Sequence, residues 1–265
     1  MALETASDST TVLITGASSG IGTEIARELA SRGHGVTLVA RRADRLEELA
    51  AELAEKHKIT ATAIPCDLGD PIARAELIEG LRAGPALAGL CNNAGYGISG
   101  KLVNNEADRE RQMVELNVVA VHDLTVRVLP GMVERGSGAI LNVASTAAFQ
   151  PLPGFASYAA TKAFVLSFSE ALNAELSGTG VSCSALCPGP VKTEFASVAG
   201  STMMEDSLPD FTLVSPEEVA RQAIDAMENG SRTAIPGMAN QVQALLGRIA
   251  PRSLVLPLAG RISGK

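Results

Sequence analysis

Seven short apolar runs, rich in Val, Leu, Ile and Ala, recur along the chain and are separated by amphipathic stretches. The runs cover 11–15, 35–40, 59–65, 87–92, 138–143, 181–186 and 233–235. They have the length of strands and lack the in/out alternation of a half-exposed sheet. Continuous apolar strands belong to a parallel sheet covered on both faces. The stretches between them have helical spacing. In 20–31, Ile21, Ile25 and Leu29 recur every fourth residue, and 42–57 carries Leu46, Leu49 and Leu53 on one face. Further helices are predicted at 71–81, 108–134, 156–176 and 216–228. The last opens on Ser215-Pro-Glu-Glu218, which supplies an N-cap, a proline at the first helical position and a capping-box glutamate. Strand and helix in alternation predict an α/β fold, a doubly wound parallel sheet of about seven strands with helices on both faces. No repeat, linker or internal boundary interrupts the pattern, so a single domain over 1–265 is expected.

Composition narrows the function classes. The chain has 22 Lys and Arg against 29 Asp and Glu, a net charge of −7, which argues against nucleic acid as a partner. A hydrophobic content of 46% argues against disorder. No stretch approaches the ~18 consecutive apolar residues of a bilayer span. Residues 1–10 hold Glu4 and Asp8 without a basic cluster, so neither a signal nor a transit peptide is expected. Cys66, Cys91, Cys183 and Cys187 match no zinc spacing. Cys183 and Cys187 sit four residues apart in a predicted strand, ~13 Å at ~3.3 Å per residue. A disulfide needs Cα atoms ~5.5 Å apart. All four are read as reduced and buried, which suits a reducing, cytoplasmic setting. His34, His57 and His122 follow no catalytic or metal spacing, and no metal is expected. The chain has no Trp, six Phe and only two Tyr, so the core must be aliphatic, and each tyrosine raises the question of what its hydroxyl does.

After the first predicted strand comes Thr15-Gly-Ala-Ser-Ser-Gly-Ile-Gly22, then a helix. Glycines allow a tight turn and a close approach to an anionic pyrophosphate, and the helix adds unpaired N–H groups and a positive dipole end. A glycine turn without a ligand is the other reading; its place between first strand and first helix favours the dinucleotide. The second strand should name the dinucleotide. An acid at its end would hold the ribose 2′-hydroxyl of NAD, and a base the 2′-phosphate of NADP. Here Ala40 ends the run, and Arg41 and Arg42 follow. A guanidinium fork suits a phosphate dianion, so NADP(H) is expected over NAD(H). Alternatively, the two arginines merely open a solvated helix.

Tyr158 and Lys162 stand four residues apart in Tyr158-Ala-Ala-Thr-Lys162. On a helix they share one face, so phenol and ammonium can act on one ligand. Ser145 stands thirteen residues earlier, just after a predicted strand. Together with Asn92-Asn-Ala-Gly95, Asn117 and Pro188-Gly189, these elements resemble, in order and spacing over essentially the whole chain, the single-domain short-chain dehydrogenases/reductases. The resemblance implies a Rossmann-type fold and roles for particular residues. Tyr158 would be the general acid that protonates a carbonyl oxygen as hydride arrives from the nicotinamide. A free phenol titrates near ~10, and the charge of Lys162 would favour its ionised form. Ser145 would hold the substrate oxygen, and Asn117 would support a relay water near Lys162. The implied cofactor contacts are Gly16, Ser18, Ser19, Gly20, Ile21 and Gly22 in the turn, Arg41 and Arg42 after the second strand, and Asp67 and Leu68 at the adenine. Asn93, Ala94 and Gly95 would lie under the ribose. Tyr158, Lys162, Pro188, Gly189 and Thr193 would line the nicotinamide side. Homo-dimers or homo-tetramers, built on the helices at 108–134 and 156–176, are the implied assembly.

On the substrate side, Ser145, Tyr96, Gln150 and Phe155 are expected at the pocket. The segment 194–213, with Met203, Met204, Pro209 and Phe211, is read as a lid, its apolar content favouring a lipophilic partner. The run Pro151-Leu-Pro-Gly-Phe-Ala-Ser-Tyr158 looks like that of NADP-linked carbonyl reductases acting on acyl, steroid or simple ketones and aldehydes. From 237 to 265 the chain has no acid and a charge of +4. Val242, Leu245, Leu246 and Ile249 have amphipathic helical spacing there. This extension could pack on its own domain or another subunit, or lie on an anionic membrane surface. The leading expectation is an NADPH-dependent reduction of a small-molecule ketone or aldehyde to an alcohol. The alternatives are an NAD-dependent alcohol dehydrogenase working oxidatively and a non-catalytic NADP-sensing protein.

Overall fold

A computed structural model describes residues 3–200, 213–253 and 255–257. Seven strands form one parallel sheet: β1 (Thr10–Thr15), β2 (Val36–Ala40), β3 (Ala61–Pro65), β4 (Ala86–Asn92), β5 (Gly138–Val143), β6 (Val181–Leu186) and β7 (Thr233–Ala234). Their order across the sheet is β3-β2-β1-β4-β5-β6-β7. The helices are α1 (Gly20–Ser31), α2 (Ala43–His57), α3 (Pro71–Arg82), α4 (Ala107–Val114), α5 (Val121–Arg135), α6 (Ala156–Glu175), α7 (Phe195–Ala199), α8 (Pro216–Asn229) and α9 (Met238–Ile249). The predicted strands and helices are all present, with ends shifted by one or two residues. The five-residue helix α7 lies in the segment read as a lid. Met203, Met204, Pro209 and Phe211 of that segment lie outside the described residues.

The strands are buried on both faces because each successive side chain points to the opposite helix layer. In β1, Val12 and Ile14 pack with Ile25 and Leu29 of α1, Leu46 and Leu53 of α2, and Val219 and Ile224 of α8. Leu13 points the other way, to Leu77 and Ile78 of α3, Leu124 and Met132 of α5, and Leu172 of α6. The interior is aliphatic, as the shortage of aromatic residues requires. Arg32 ties α1 to α8 through Asp225 (2.8 Å) and Glu228 (2.8 Å). Asp70 caps α3 by accepting from the Ile72 N–H, and Ser215 caps α8 by accepting from the Glu218 N–H. The predicted capping box is only half realised: the Glu218 carboxylate turns to Arg221 and Gln222 instead of back to the cap.

The helix expected at 108–134 is continuous but not uniform. Between α4 and α5, Glu115–Ala120 makes a π-helical turn, the local widening that recurs at functional sites. Ala107–Arg135 is also the one described helix with the length and composition to cross a bilayer. Here Ala120, Leu124 and Met132 pack on the sheet residues Leu13, Leu90 and Ile140, and Met113 packs with Ile98, Phe155 and Tyr158. The four cysteines are free, with Cys91, Cys183 and Cys187 buried. Cys66 departs from expectation and is only half-buried, since it follows the edge strand β3.

The C-terminal helix α9 has the predicted amphipathic pattern, but with the faces exchanged. Asn240, Ala244 and Gly247 face the protein, while Val242, Leu245, Leu246 and Ile249 are more than half exposed. Small residues let the helix backbone come close to the 3₁₀ turn Thr146–Phe149, where a Cβ on Gly247 would stand 3.1 Å from that of Phe149. Close approach of that turn favours the small-residue face, so α9 packs on its own domain through Asn240, Ala244 and Gly247, and among the described residues nothing buries its large apolar face.

Leu13 is fully buried between the two layers. Leu13→Ala is expected to lower unfolding free energy by about 2–5 kcal/mol, read from the urea midpoint at unchanged slope.

Candidate active site

The chain runs outward from β1 to β3, then crosses back to β4 on the other side of β1. Loops after β1 and β4 therefore part in opposite directions and leave a crevice at the carboxyl ends of the strands. A cavity of about 990 Å³ occupies this place. Its floor is braced by Thr15: its hydroxyl accepts from the N–H groups of Asn93 and Ala94, both at 3.0 Å, and donates to the Cys91 carbonyl. The Asn93 side chain in turn donates to the Thr15 carbonyl at 2.9 Å. Asn92 points into the core, where it donates to Asn142 and Thr125.

The glycine turn has the form the sequence predicts. Gly16 has φ 67° and Gly20 φ 57°, left-handed values that favour glycine. Gly22 serves another need: a Cβ there would stand 2.3 Å from the Gly16 carbonyl oxygen. The helix start is aimed at the cavity, and Ser19, at its N-cap, makes no side-chain cap bond. Ser18, Ser19 and Ile21 line the wall. At the same end, the Arg42 guanidinium donates to Ser18 Oγ from Nε and Nη2, both at 3.1 Å. Its Nη1 meets Glu194 at 2.9 Å, and Arg45 meets the other oxygen of that carboxylate at 2.8 Å. Arg41 also lines the cavity and makes no ion pair among the described residues. Asp67 accepts from the Gly69 N–H, which shapes the loop after β3, and Leu68 is buried beside it.

At the other end, Ser145 leaves β5 and Tyr158 and Lys162 stand on α6. The Tyr158 and Lys162 side chains are buried, yet both reach the cavity. Burial pushes the phenol up to about 12, opposed by a hydrogen bond with Ser145. Burial also pulls the Lys162 ammonium down to about 8. In this structure desolvation raises the phenol, against the direction expected from the lysine charge. Lys162 Nζ donates to the Val143 carbonyl at 2.7 Å and stands 5.9 Å from the Tyr158 ring centroid. Ser145 also accepts from the Ala147 N–H and so caps the turn after β5. Asn117 lies in the π turn, fully buried. It accepts from the Tyr96 N–H and donates to the Tyr96 carbonyl and Thr161 Oγ1. Gly95 separates it from Lys162: a Cβ there would stand 2.9 Å from Asn117 Oδ1 and 3.4 Å from Lys162 Nζ.

Of the residues to which the resemblance gives a catalytic, cofactor or substrate role, only Gly22 and Asn117 stand behind the cavity wall and not on it. Asn93, Ala94, Gly95, Pro188, Gly189 and Thr193 line it, as do Tyr96, Gln150 and Phe155 on the substrate side. The Tyr96 hydroxyl is used elsewhere, donating to the Arg109 carbonyl. Thr193 holds its loop by accepting from the Phe195 N–H. Four contributors were given no individual role in the sequence reading. Phe195 packs on Tyr158 with ring centroids 5.4 Å apart, and Glu194 pairs with Arg42. Asn240 of α9 backs Gly189, where a Cβ would stand 2.3 Å from its side-chain oxygen. Arg74, only 3% exposed, joins the Leu68 carbonyl to Glu115 at the start of the π turn and to Asp123. All four act by tertiary contact, which no local spacing reveals.

A family model for short chain dehydrogenases matches residues 10–203. The chain belongs to the short-chain dehydrogenase/reductase family and is an oxidoreductase acting on CH–OH groups or the corresponding carbonyls. It is similar to the very-long-chain 3-oxoacyl-CoA reductase of Anas platyrhynchos, 33% identical over 228 residues, covering 83% of this chain and 70% of the relative. Sulfoacetaldehyde reductase 2 of Chromohalobacter salexigens is 36% identical over 215 residues, covering 79% and 84%. A short-chain dehydrogenase from Sphingobium yanoikuyae, solved in complex with NADPH, superposes with a TM-score of 0.82 at 36% identity, covering 94% and 95%. The bulky-bulky ketone specific alcohol dehydrogenase of Comamonas testosteroni gives 0.75 at 33% identity, covering 96% and 94%.

Burial depresses the Lys162 ammonium on folding. Its folded pKa of about 8 lies below the unfolded 10.5, so the unfolded chain binds more protons between these values. Stability contributed by this residue should rise as pH climbs through that window. Urea unfolding is expected to show wild type gaining on Lys162→Met from pH ~7.5 to ~9.5.

Proposed function

We propose that the protein is an NADPH-dependent reductase of ketones or aldehydes, with Tyr158 as general acid. One observation carries the reading: Ser145 and the buried Tyr158 line the same cavity as the Arg42–Ser18 pair. The glycine turn and the start of α1 fit a pyrophosphate between them. A bound nicotinamide cofactor supplies the hydride. The protein's part is to hold a carbonyl oxygen between Ser145 and the phenol and to deliver the Tyr158 proton to it. A phenol raised to about 12 keeps that proton until oxygen charge develops. Lys162 would orient the nicotinamide ribose, and Asn117, held in its π turn, would fix the backbone at Tyr96. Arg42, with Ser18 and Arg41, would read the 2′-phosphate, while Asp67 and Leu68 would flank the adenine.

Phe155, Phe195 and Leu152 give the substrate end an apolar lining, which suits a lipophilic acyl- or steroid-like carbonyl compound. We read the whole chain as one catalytic domain, with 194–213 over the substrate and 237–265 as an extension. We further place it in the cytoplasm as a homo-dimer or homo-tetramer. Val114, Val119, Val126 and Val133, exposed along the helix at 107–135, and Phe164 on α6 support such an assembly. The outward apolar face of α9 suits contact with another subunit; a peripheral membrane contact is the alternative.

Tyr158→Phe should keep NADPH affinity and lose turnover by about 10²–10⁴-fold, followed by NADPH absorbance against a panel of ketones and aldehydes. Near-normal rates in that variant would overturn the mechanism. Arg42→Ala should weaken NADPH by about 10–100-fold and leave NADH unchanged in fluorescence titration. An equal effect on both would remove Arg42 from the 2′-phosphate.

A further inference from the structure

Arg42 is shared between two groups at the rim of the cavity. One side of its guanidinium holds Ser18, inside the glycine turn, and the other holds Glu194 at 2.9 Å. Arg45, one turn further along α2, grips the second carboxylate oxygen at 2.8 Å. Glu194 itself lines the cavity, directly after Thr193, whose methyl group rests against Gly20 of the turn. A carboxylate between two guanidinium groups, beside a serine hydroxyl and a phosphate-binding turn, has the surroundings that a ribose 2′-phosphate would need.

We propose that Glu194 is an internal competitor of the cofactor's 2′-phosphate and thereby sets the discrimination between NADPH and NADH. This rests on the NADP(H) reading above. Arg42 cannot give the same N–H to both anions, and two anions drawn to one guanidinium repel each other. NADPH therefore binds at the cost of the Glu194–Arg42 pair. NADH carries a hydroxyl at that position and leaves the pair intact. The two arginines hold the Glu194 carboxyl well down, to about 2, so it stays ionised across the working pH range. Only another anion displaces it, not a proton. The contact spans 152 residues, from the end of β2 to the start of α7, so the segment after β6 takes part in cofactor choice.

The test is fluorescence titration of NADPH and NADH with wild type, Glu194→Gln and Glu47→Gln. Glu47 is exposed on α2 and makes no ion pair among the described residues, so its variant is a charge-matched control. Glu194→Gln should tighten NADPH by about three- to tenfold and leave NADH within about twofold. Glu47→Gln should change neither. Unchanged or weaker NADPH binding in Glu194→Gln overturns the proposal, since the carboxylate would then be neutral or a holding group. Equal tightening of both cofactors also overturns it, by showing only a general charge effect. A wild type that binds NADH as tightly as NADPH takes down the NADP(H) reading and this inference together. A wild type that prefers NADPH, with an unresponsive Glu194→Gln, takes down this inference alone.

Discussion

The reversal of strand order beside β1 governs this molecule. A parallel sheet places every strand's carboxyl end along one edge, and loops that leave in opposite directions cannot cover the point where they part. The protein must brace that point without filling it. Thr15 and Asn93 do so by bonding to each other's backbone. Glycine at 16, 22 and 95 keeps the space beside them free of side chains. With the gap fixed, the glycine turn and the residues Ser145 and Tyr158 face one cavity although they are more than 120 residues apart in sequence.

Burial does the electrostatic work at the reacting end. Tyr158 and Lys162 are both desolvated, which favours the neutral form of each and so moves their two pKa values apart. The Val143 carbonyl holds the ammonium without adding a second formal charge. Around Arg42 the groups are half exposed, and Arg42 and Arg45 carry formal charges paired with Glu194. The cavity thus joins a solvated, ionic end to a dry, weakly charged one. That contrast suits a ligand with phosphates at one end and a nicotinamide at the other.

Local chemistry in the sequence reached the sheet, the helices, the glycine turn and the tyrosine–lysine pair, because strand length, helical period and an i, i+4 spacing are written in adjacent residues. It did not reach the π turn at Glu115–Ala120. There the widening places Asn117 against Tyr96 and Thr161, a demand set by elements on another part of the chain. It also missed Glu194, whose partners are 149 and 152 residues away. For α9 the period was legible and the orientation was not, since hydrophobicity ranks faces by apolar content. The protein instead buried the face with the smallest side chains, because the Phe149 turn allows only a close approach.

The seating of Asn240 against Gly189 bears on the order in which the enzyme comes into being. On the ribosome, the phosphate turn and Tyr158 emerge well before α9. The loop at Pro188–Gly189, on the side assigned to the nicotinamide, gains its backing only when the chain has been made past Asn240. The seating of that loop therefore depends on a helix far downstream of it in the chain.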